Sequence, residues 1–440
     1  MASPADEAFL PLPVVDASTL TYERFLREFA LPKQPCLLTN VGSSWAAKAW
    51  DVNYLLAHDL VDESHKVHVA HGRPGGAREV ATSVGKALRG VAAVAAAADA
   101  DVSAPCYLSA WDYVRGNSGA LQEDFTVPRF FERAPAWLSS HVVLGNAATD
   151  MKWLYIGTFG SGSATHVDTN LSSAWLWVAA GRKEWVCAHG GDHALLTQGT
   201  GSAAYGYAAN AANSDEEDAS GSSDGESATS TLPDFFADDL YERWPHARGA
   251  RLYRGFQSAG EVCFNPSMCV HAVRNVGSPS EIVISLTHNF VDASNFAEVL
   301  SDATRSIIEE LLPMARALKP RTVLKTLAKS LRMPREALSR TLAELPDLAA
   351  DERIEELIAC AAAGAAADEA EPATRDVEAS RDGEAVAGHG PEEAVAALLR
   401  RTLQERLCEV RPAFVRAATA LRDALKLDPP DQQHPQPDVT

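Results

Sequence analysis

The chain has 440 residues, of which 46% are apolar, so it can bury a core and form about two to four domains. Its 39 basic and 59 acidic residues give a formal charge of −20, which makes it a poor electrostatic match for nucleic acid and favours a basic partner. Seven cysteines, odd in number and without a CxxC pair, exclude a disulfide scaffold and a cysteine-rich zinc fold. No apolar run is long enough for a membrane span, and the first residues lack a signal or transit pattern. We therefore expect no membrane or direct nucleic-acid binding, and a cytoplasmic or nuclear location, or both.

The first part of the chain, residues 1–135, has the mixed pattern of an α/β segment. Short strands are predicted at 35–40 and 66–70, where apolar and β-branched residues cluster. Residues 52–60 and 84–98 have the three- and four-residue apolar spacing of helices.

A β-rich region follows, at residues 136–298, with about eight short strands bounded by Gly, Ser and Asn. Clear examples are WLYIGT, AWLWVAA, KEWVCAH and EIVISLTHNF. This pattern predicts a mainly β core, a sandwich or jelly roll in which two antiparallel sheets enclose a cavity. An acidic low-complexity insert at about 201–230 interrupts the strands, and its composition predicts disorder.

The last part of the chain is predicted to be helical, with two disordered stretches. We expect a helical region at 299–358, a disordered acidic Ala-rich linker at 359–393, a helix at 394–428 and a disordered tail at 429–440. Two acidic segments, 213–226 and 361–393, carry −6 and −7 of the total charge of −20. The charge therefore indicates solubility more than it indicates a substrate.

One triplet in the β-rich region has the residue types of a metal site. His166 and Asp168 begin a β segment, where residues two apart face the same side and can reach one ion. Chance alone produces about one His-x-Asp triplet in such a chain, so an ordinary surface pair is the competing interpretation. His271, in a later strand, is the best third ligand. Two His and one carboxylate form the facial triad of non-haem Fe(II) oxygenases, which leaves positions for a 2-oxo acid and O2.

Three further polar residues could face the same cavity. Lys183 offers a cation for the far end of a dicarboxylic co-substrate if strand alternation holds, although GRK also has the pattern of a turn. Thr287 and Asn289 lie two apart on one strand, so both could donate hydrogen bonds into the cavity. Asn is disfavoured in strands, which hints at a function, but a position at a strand end is the alternative interpretation.

The stretch FGSGSATHVDTNLSSAWLWVAAGRKEWV resembles the iron-binding core of JmjC-domain 2-oxoglutarate oxygenases. GEVCFNPSMCVHAVRNV and ISLTHNFVDASNF resemble the distal-His block of that family. The resemblance extends from about residue 20 to about residue 312 and includes CYLSAWDY, FTVPRFF and PAWL. These flanks are most similar to those of the lysyl hydroxylases of a translation termination factor, and the arginine-demethylase/lysyl-hydroxylase branch is also similar.

The resemblance implies a fold, two cofactors and a set of site residues. The fold is the double-stranded β-helix, a cupin-like jelly roll, followed by C-terminal helices. Such helices often support dimers in relatives, so the resemblance leaves open a homodimer formed through them. The cofactors are Fe(II) and 2-oxoglutarate. The implied metal-binding and catalytic residues are His166, Asp168 and His271, and the implied co-substrate residues are Lys183, Thr287, Tyr107, Ser163 and Asn289.

The sequence departs from the family pattern at three places, one of which is the loop GSPSE after His271, which is longer than usual. Leu176 and Val178 stand where relatives often have Ser or Asn, so a more apolar co-substrate pocket is expected. NPSMCVH replaces the aromatic stretch that usually precedes the distal His. The ligand set and the lysine are intact, which favours an active enzyme.

Three functions remain open. The resemblance implies a protein hydroxylase that modifies a lysine in a translation factor. The same cofactors also serve JmjC-type demethylases of methylated lysine or arginine in histones or other proteins. A catalytically inactive cupin-like binding module is the alternative that involves no enzyme.

Overall fold

A computed structural model describes residues 9–57, 66–97, 104–114, 119–131, 133–139, 151–197, 232–331, 333–370 and 390–429. The chain divides into two compact units. The first comprises residues 1–20, 32–128 and 149–290, and the second comprises residues 21–31, 129–148 and 291–440. Within the described ranges, no helix combines the length and apolarity that crossing a membrane requires.

The first unit is built on two β-sheets. The smaller sheet has five strands in the order β1-β11-β10-β13-β8. These strands are β1 (Leu10–Pro11), β8 (Gly162–Val167), β10 (Arg182–Ala188), β11 (Leu252–Ser258) and β13 (Val270–Val276).

The larger sheet has nine strands in the order β2-β3-β12-β9-β14-β7-β6-β4-β5. They are β2 (Val14–Asp16), β3 (Cys36–Thr39), β4 (Lys66–His71), β5 (Arg78–Ser83), β6 (Cys106–Trp111), β7 (Lys152–Thr158), β9 (Ser173–Ala180), β12 (Val262–Asn265) and β14 (Ile282–Phe290). The α-helices of this unit are Val52–Ala57, Val84–Ala96, His193–Leu196 and Leu240–Arg243. Its 3₁₀ turns are Ala46–Ala49, Gly119–Asp124, Thr169–Leu171, Gly190–Asp192 and Pro245–Gly249.

The inner faces of the two sheets pack against each other. Because side chains alternate along a strand, each strand sends every second residue into this layer. Trp185 and Cys187 of β10 meet Leu176 and Val178 of β9 in one buried apolar cluster. The outer face of the five-stranded sheet is covered by the segment from Leu232 to Ala247, which packs on a second apolar cluster.

The predicted mainly β jelly roll is confirmed. Eight strands, β7 to β14, lie between residues 152 and 290, where the sequence indicated about eight. The earlier strands form no separate sheet. Instead, β1 joins the five-stranded sheet and β2 to β6 extend the nine-stranded sheet. The predicted disordered insert at 201–230 lies outside the described residues.

The second unit is helical among its described residues. Its α-helices are Tyr22–Phe25, Ala136–Ser139, Phe296–Ser306, Leu312–Ala317, Pro320–Ser330, Arg335–Glu344, Asp351–Ala370 and Pro391–Leu425. Pro313 sits just after a π-helical turn, Ile307–Leu311, that joins two of these helices. A proline inside a helix lacks the donor N–H and clashes with the carbonyl four residues earlier, which accounts for the local widening.

One predicted boundary was wrong. The helix Asp351–Ala370 covers the first twelve residues of the linker that we expected to be disordered at 359–393. The physical reason is alanine, which has the highest helix propensity and is abundant in this stretch. Residues 371–389 of that linker, and residues 430–440 of the expected tail, lie outside the described residues.

Candidate metal centre

His166, Asp168 and His271 converge at one end of the jelly roll. β8 and β13 are antiparallel neighbours, and their register places His271 directly opposite His166. Asp168 follows the end of β8 and is two residues from His166. One potential ligand atom from each of the three residues lies within 4.8 Å of the others. His271 is buried, whereas His166 and Asp168 are partly exposed, so the cluster is accessible from solvent.

The two imidazoles are oriented by the backbone. Nδ1 of His166 donates to the carbonyl of Ala164 at 2.8 Å, and Nδ1 of His271 donates to the carbonyl of Cys269 at 3.0 Å. A carbonyl can only accept, so the proton is on Nδ1 and the lone pair on Nε2 is available to a metal. Hydrogen bonds of this kind fix the ligand nitrogen in most histidine metal sites.

These residues fit a divalent metal with open coordination positions. Two imidazole nitrogens and one carboxylate match the donor set of a non-haem Fe(II) centre. Among the described residues the cluster contains no fourth His, Cys, Asp or Glu. A closed tetrahedral zinc site needs four protein ligands, so the donor set favours a site that leaves positions for small molecules.

Lys183 is buried in the interior of the same jelly roll. It lies within β10, after the turn at Gly181, and its side chain is 0% exposed. Its ammonium Nζ donates to Oδ1 of Asn275 at 2.9 Å and lies 5.6 Å from the centre of the Tyr107 ring. In the described part of the chain, no carboxylate forms an ion pair with it. Burial lowers the pKa of Lys183 to about 7, because desolvation penalises the charged form.

Tyr107 and Ser163 lie close to Lys183. The Tyr107 hydroxyl is hydrogen-bonded to Ser163, and burial raises the pKa of this phenol above its usual range. The Tyr107 ring stacks on that of Tyr155, with the centroids 5.8 Å apart. Burial raises the pKa of the Tyr155 phenol above its usual range, and the nearby charges of Tyr107 and Asp168 raise it further. These contacts link the surroundings of Lys183 to those of the metal cluster.

Thr287 and Asn289 both lie on the inner face of β14. Thr287 is opposite Leu176, a residue of the inter-sheet cluster, and its hydroxyl donates to the carbonyl of Trp175 at 3.2 Å. The Asn289 amide donates to the hydroxyl of Ser172 at 3.0 Å, in the loop that follows Asp168. Leu176 and Val178 are both buried in that apolar cluster.

Three thiols line the interior near the metal cluster. Burial raises the pKa of the Cys187, Cys263 and Cys269 thiols above the usual range. A thiol that stays protonated is a poor nucleophile and a poor metal ligand. All three cysteines are buried and free of disulfide bonds, so their environment suits inert packing residues.

The sequence analysis missed several interior residues around Lys183. Asn275, Ser161 and Gly157 come together beside its ammonium, and Tyr155 lies against Tyr107. A signal for Asn275 was available, because it lies four residues after His271 and therefore on the same face of β13. Its presence in the middle of a strand, where Asn is disfavoured, is a second signal.

Comparison with known proteins adds a family match. A family model described as a cupin-like domain matches residues 22–295. The arginine-specific demethylase JMJ22 of Arabidopsis thaliana is 38% identical over 88 residues, which cover 17% of this chain and 18% of that protein.

Two further relatives carry one name, bifunctional arginine demethylase and lysyl-hydroxylase psr-1. The protein from Caenorhabditis elegans is 28% identical over 174 residues, covering 39% of this chain and 40% of the relative. The protein from Caenorhabditis briggsae is 25% identical over 177 residues, covering 40% and 41%. The chain thus spans less than half the length of each of these relatives.

Proposed function

The chain belongs to the cupin-like domain family, and we propose that it is an Fe(II)- and 2-oxoglutarate-dependent oxygenase that hydroxylates a protein side chain. His166, Asp168 and His271 would hold the iron. Bound Fe(II) would supply the oxidative decarboxylation of 2-oxoglutarate by O2 and the oxidant for a substrate C–H bond. The chain's own residues position the co-substrate and exclude water from its buried end.

The observation that carries the proposal is the environment of Lys183. A fully buried ammonium whose hydrogen-bond acceptor is a neutral amide is costly unless an anion joins it. Cross-strand pairs place Lys183 beside Asn275 and Cys187 beside His271, so the lysine and the metal cluster are four residues apart, about 13 Å along the strands. That span, bridged by the lysine side chain at one end and a metal at the other, suits a short dicarboxylate.

Polar side chains support the same role. The Tyr107 hydroxyl, which is hydrogen-bonded to Ser163, and the Thr287 hydroxyl, which donates to the carbonyl of Trp175, lie on the inner faces of their strands and add neutral polar groups to this interior. Leu176 and Val178 provide an apolar wall, which lowers the local dielectric and strengthens the pairing of the ammonium with a carboxylate.

For the substrate, we propose a lysine side chain of a translation factor. The support is the similarity of CYLSAWDY, FTVPRFF and PAWL to the lysyl hydroxylases of a translation termination factor. The words lysyl-hydroxylase in the name of the psr-1 relatives agree with it. The second candidate is removal of a methyl group from arginine, which the names of all three relatives favour.

The test of co-substrate binding is the affinity for 2-oxoglutarate, measured by calorimetry with Mn(II) as an inert metal. Lys183→Ala should weaken binding about 100-fold while metal binding survives, because losing one partner of a buried ion pair costs roughly 3 kcal/mol or more. Lys183→Arg should rescue poorly, since the longer planar guanidinium must fit a space shaped for an ammonium. Lys48→Ala, at an exposed lysine, is the matched control. An affinity of Lys183→Ala within about threefold of wild type would refute the co-substrate assignment.

Mass spectrometry of candidate proteins after incubation with Fe(II) and 2-oxoglutarate separates the functions. Gain of one oxygen on a lysine supports hydroxylation, and loss of a methyl group supports demethylation. A protein that binds partners but consumes no 2-oxoglutarate would be the binding module.

A further inference from the structure

A chain of buried hydrogen bonds leads from Lys183 to the backbone. Asn275 accepts from the lysine ammonium through Oδ1 and donates from Nδ2 to the Ser161 hydroxyl at 3.0 Å. Ser161 in turn donates to the carbonyl of Thr158 at 2.7 Å. The side chains of Lys183, Asn275 and Ser161 are each 0% exposed, so water does not compete for these bonds.

The donor and the acceptor of each hydrogen bond in this network can be assigned. The carbonyl of Thr158 can only accept, so the Ser161 proton points to it and the Ser161 oxygen accepts from Asn275. The amide nitrogen of Asn275 therefore faces Ser161, and its oxygen faces the ammonium. The Asn275 backbone is held as well, since its N–H donates to the Ser161 carbonyl at 2.7 Å and its carbonyl accepts from Gly160 at 2.9 Å.

Gly157 provides the space for this arrangement. A Cβ at position 157 would overlap the Ser161 hydroxyl and the Tyr107 ring, and would lie 3.0 Å from the Asn275 amide nitrogen. A side chain at this position would displace the groups that orient Asn275.

We propose that Asn275 is a positioning residue for 2-oxoglutarate binding, acting through Lys183. It holds the ammonium in place with a neutral oxygen, so the positive charge stays available to the distal carboxylate of the co-substrate. An acidic residue would hold the lysine equally well but would neutralise it. The inference rests on the proposed function, because it assigns a role to Asn275 only if Lys183 binds the co-substrate.

The decisive variant is Asn275→Asp, which changes the charge and almost no volume. The carboxylate and Lys183 together carry no net charge, so 2-oxoglutarate should bind at least about tenfold more weakly in calorimetry with Mn(II). The thermal midpoint of the metal-free protein should equal or exceed that of wild type, since the buried ammonium gains an ionic partner. A purely structural role of Asn275 predicts instead that affinity stays unchanged as long as the fold is intact.

A second variant covers the case in which Asn275→Asp does not fold. Ser161→Ala removes the acceptor that orients the amide and should weaken 2-oxoglutarate binding about threefold or more. Asn295→Asp is the matched control, because it makes the same change at a buried amide of the second unit and should leave affinity unchanged.

The Lys183→Ala variant, measured in the same series, distinguishes a failure of the proposed co-substrate site from a failure of the positioning role of Asn275. Full affinity in Lys183→Ala would refute the proposed co-substrate site itself. Loss of affinity in Lys183→Ala with full affinity in the folded Asn275→Asp protein, or in Ser161→Ala if Asn275→Asp does not fold, would refute the positioning role alone. Loss in Lys183→Ala together with loss in the folded Asn275→Asp protein, or in Ser161→Ala if Asn275→Asp does not fold, supports it.

Discussion

The buried ammonium of Lys183 should make the stability of the metal-free protein depend on pH. Burial lowers the pKa of Lys183 from 10.5 to about 7. At 1.36 kcal/mol for each pKa unit, charging Lys183 in the folded protein costs on the order of 5 kcal/mol. Between pH 7 and 10.5 the unfolded chain binds a proton that the folded protein does not, so stability increases with pH in that window. Below pH 7 both states are protonated and the full penalty applies.

Other buried groups lower the stability of the folded protein as the pH rises, which is opposite to the effect of Lys183. Burial raises the pKa of the Tyr107 phenol and the Cys36 thiol, so both stay neutral in the folded protein. Their counterparts in the unfolded chain ionise above about pH 9, which stabilises the unfolded state. A comparison with Lys183→Met cancels these shared contributions, because methionine fills a similar volume without a charge.

The free energy of unfolding of the two proteins should be compared at pH 7 and pH 8.5. The advantage of Lys183→Met over wild type should shrink by about 2 kcal/mol across this interval, which is 1.36 kcal/mol for each pH unit. Denaturant titration followed by tryptophan fluorescence reports on unfolding of the β core that contains Lys183, since Trp175, Trp177 and Trp185 are buried there. Lys48→Met, at an exposed site, should show no such trend. A difference between wild type and Lys183→Met that is constant with pH would show that Lys183 keeps its ordinary pKa.

Three further outcomes are expected. His166→Ala, Asp168→Ala and His271→Ala should each abolish Fe(II)-dependent formation of succinate while the far-UV circular dichroism stays native, because each removes one of three metal ligands; normal turnover by any of them would contradict the metal site. Deleting residues 208–228 should leave 2-oxoglutarate turnover unchanged, because that stretch is polar, acidic and unable to form a core. A deletion variant that unfolds or loses turnover would show that the segment is needed for the fold. In the native protein, iodoacetamide should modify the exposed thiol of Cys408 well before the buried thiols, whose pKa values are raised, namely Cys187, Cys263 and Cys269. Equal rates of modification on peptide mapping would contradict the burial of these three thiols.

Alternation along a strand predicted that the candidate metal ligands could meet, and the family resemblance supplied the remaining candidate residues. His166 in β8, Asp168 just after that strand and His271 in β13 were selected as candidate ligands because residues two apart share a face, and their ligand atoms converge. Local composition was less reliable outside the strands. The Ala-rich stretch after residue 358 has the low hydrophobicity of a linker, yet its alanines continue a helix to Ala370.

The partners of Lys183 could not be predicted in this way, because they depend on register between strands. Lys183 meets Asn275 only because β10 and β13 pair at one particular offset, and a shift of one residue would turn Asn275 to the outer face of the sheet. Ser161 lies in a turn and Gly157 in the other sheet, yet both lie beside the Asn275 amide. Their separation in sequence from Lys183 follows no strand periodicity. Yet this register decides the chemistry, since it gives a buried ammonium an amide instead of a carboxylate. The sequence can thus nominate a lysine for the co-substrate, but whether that lysine keeps its charge for a ligand is determined by the residue that the fold places opposite it.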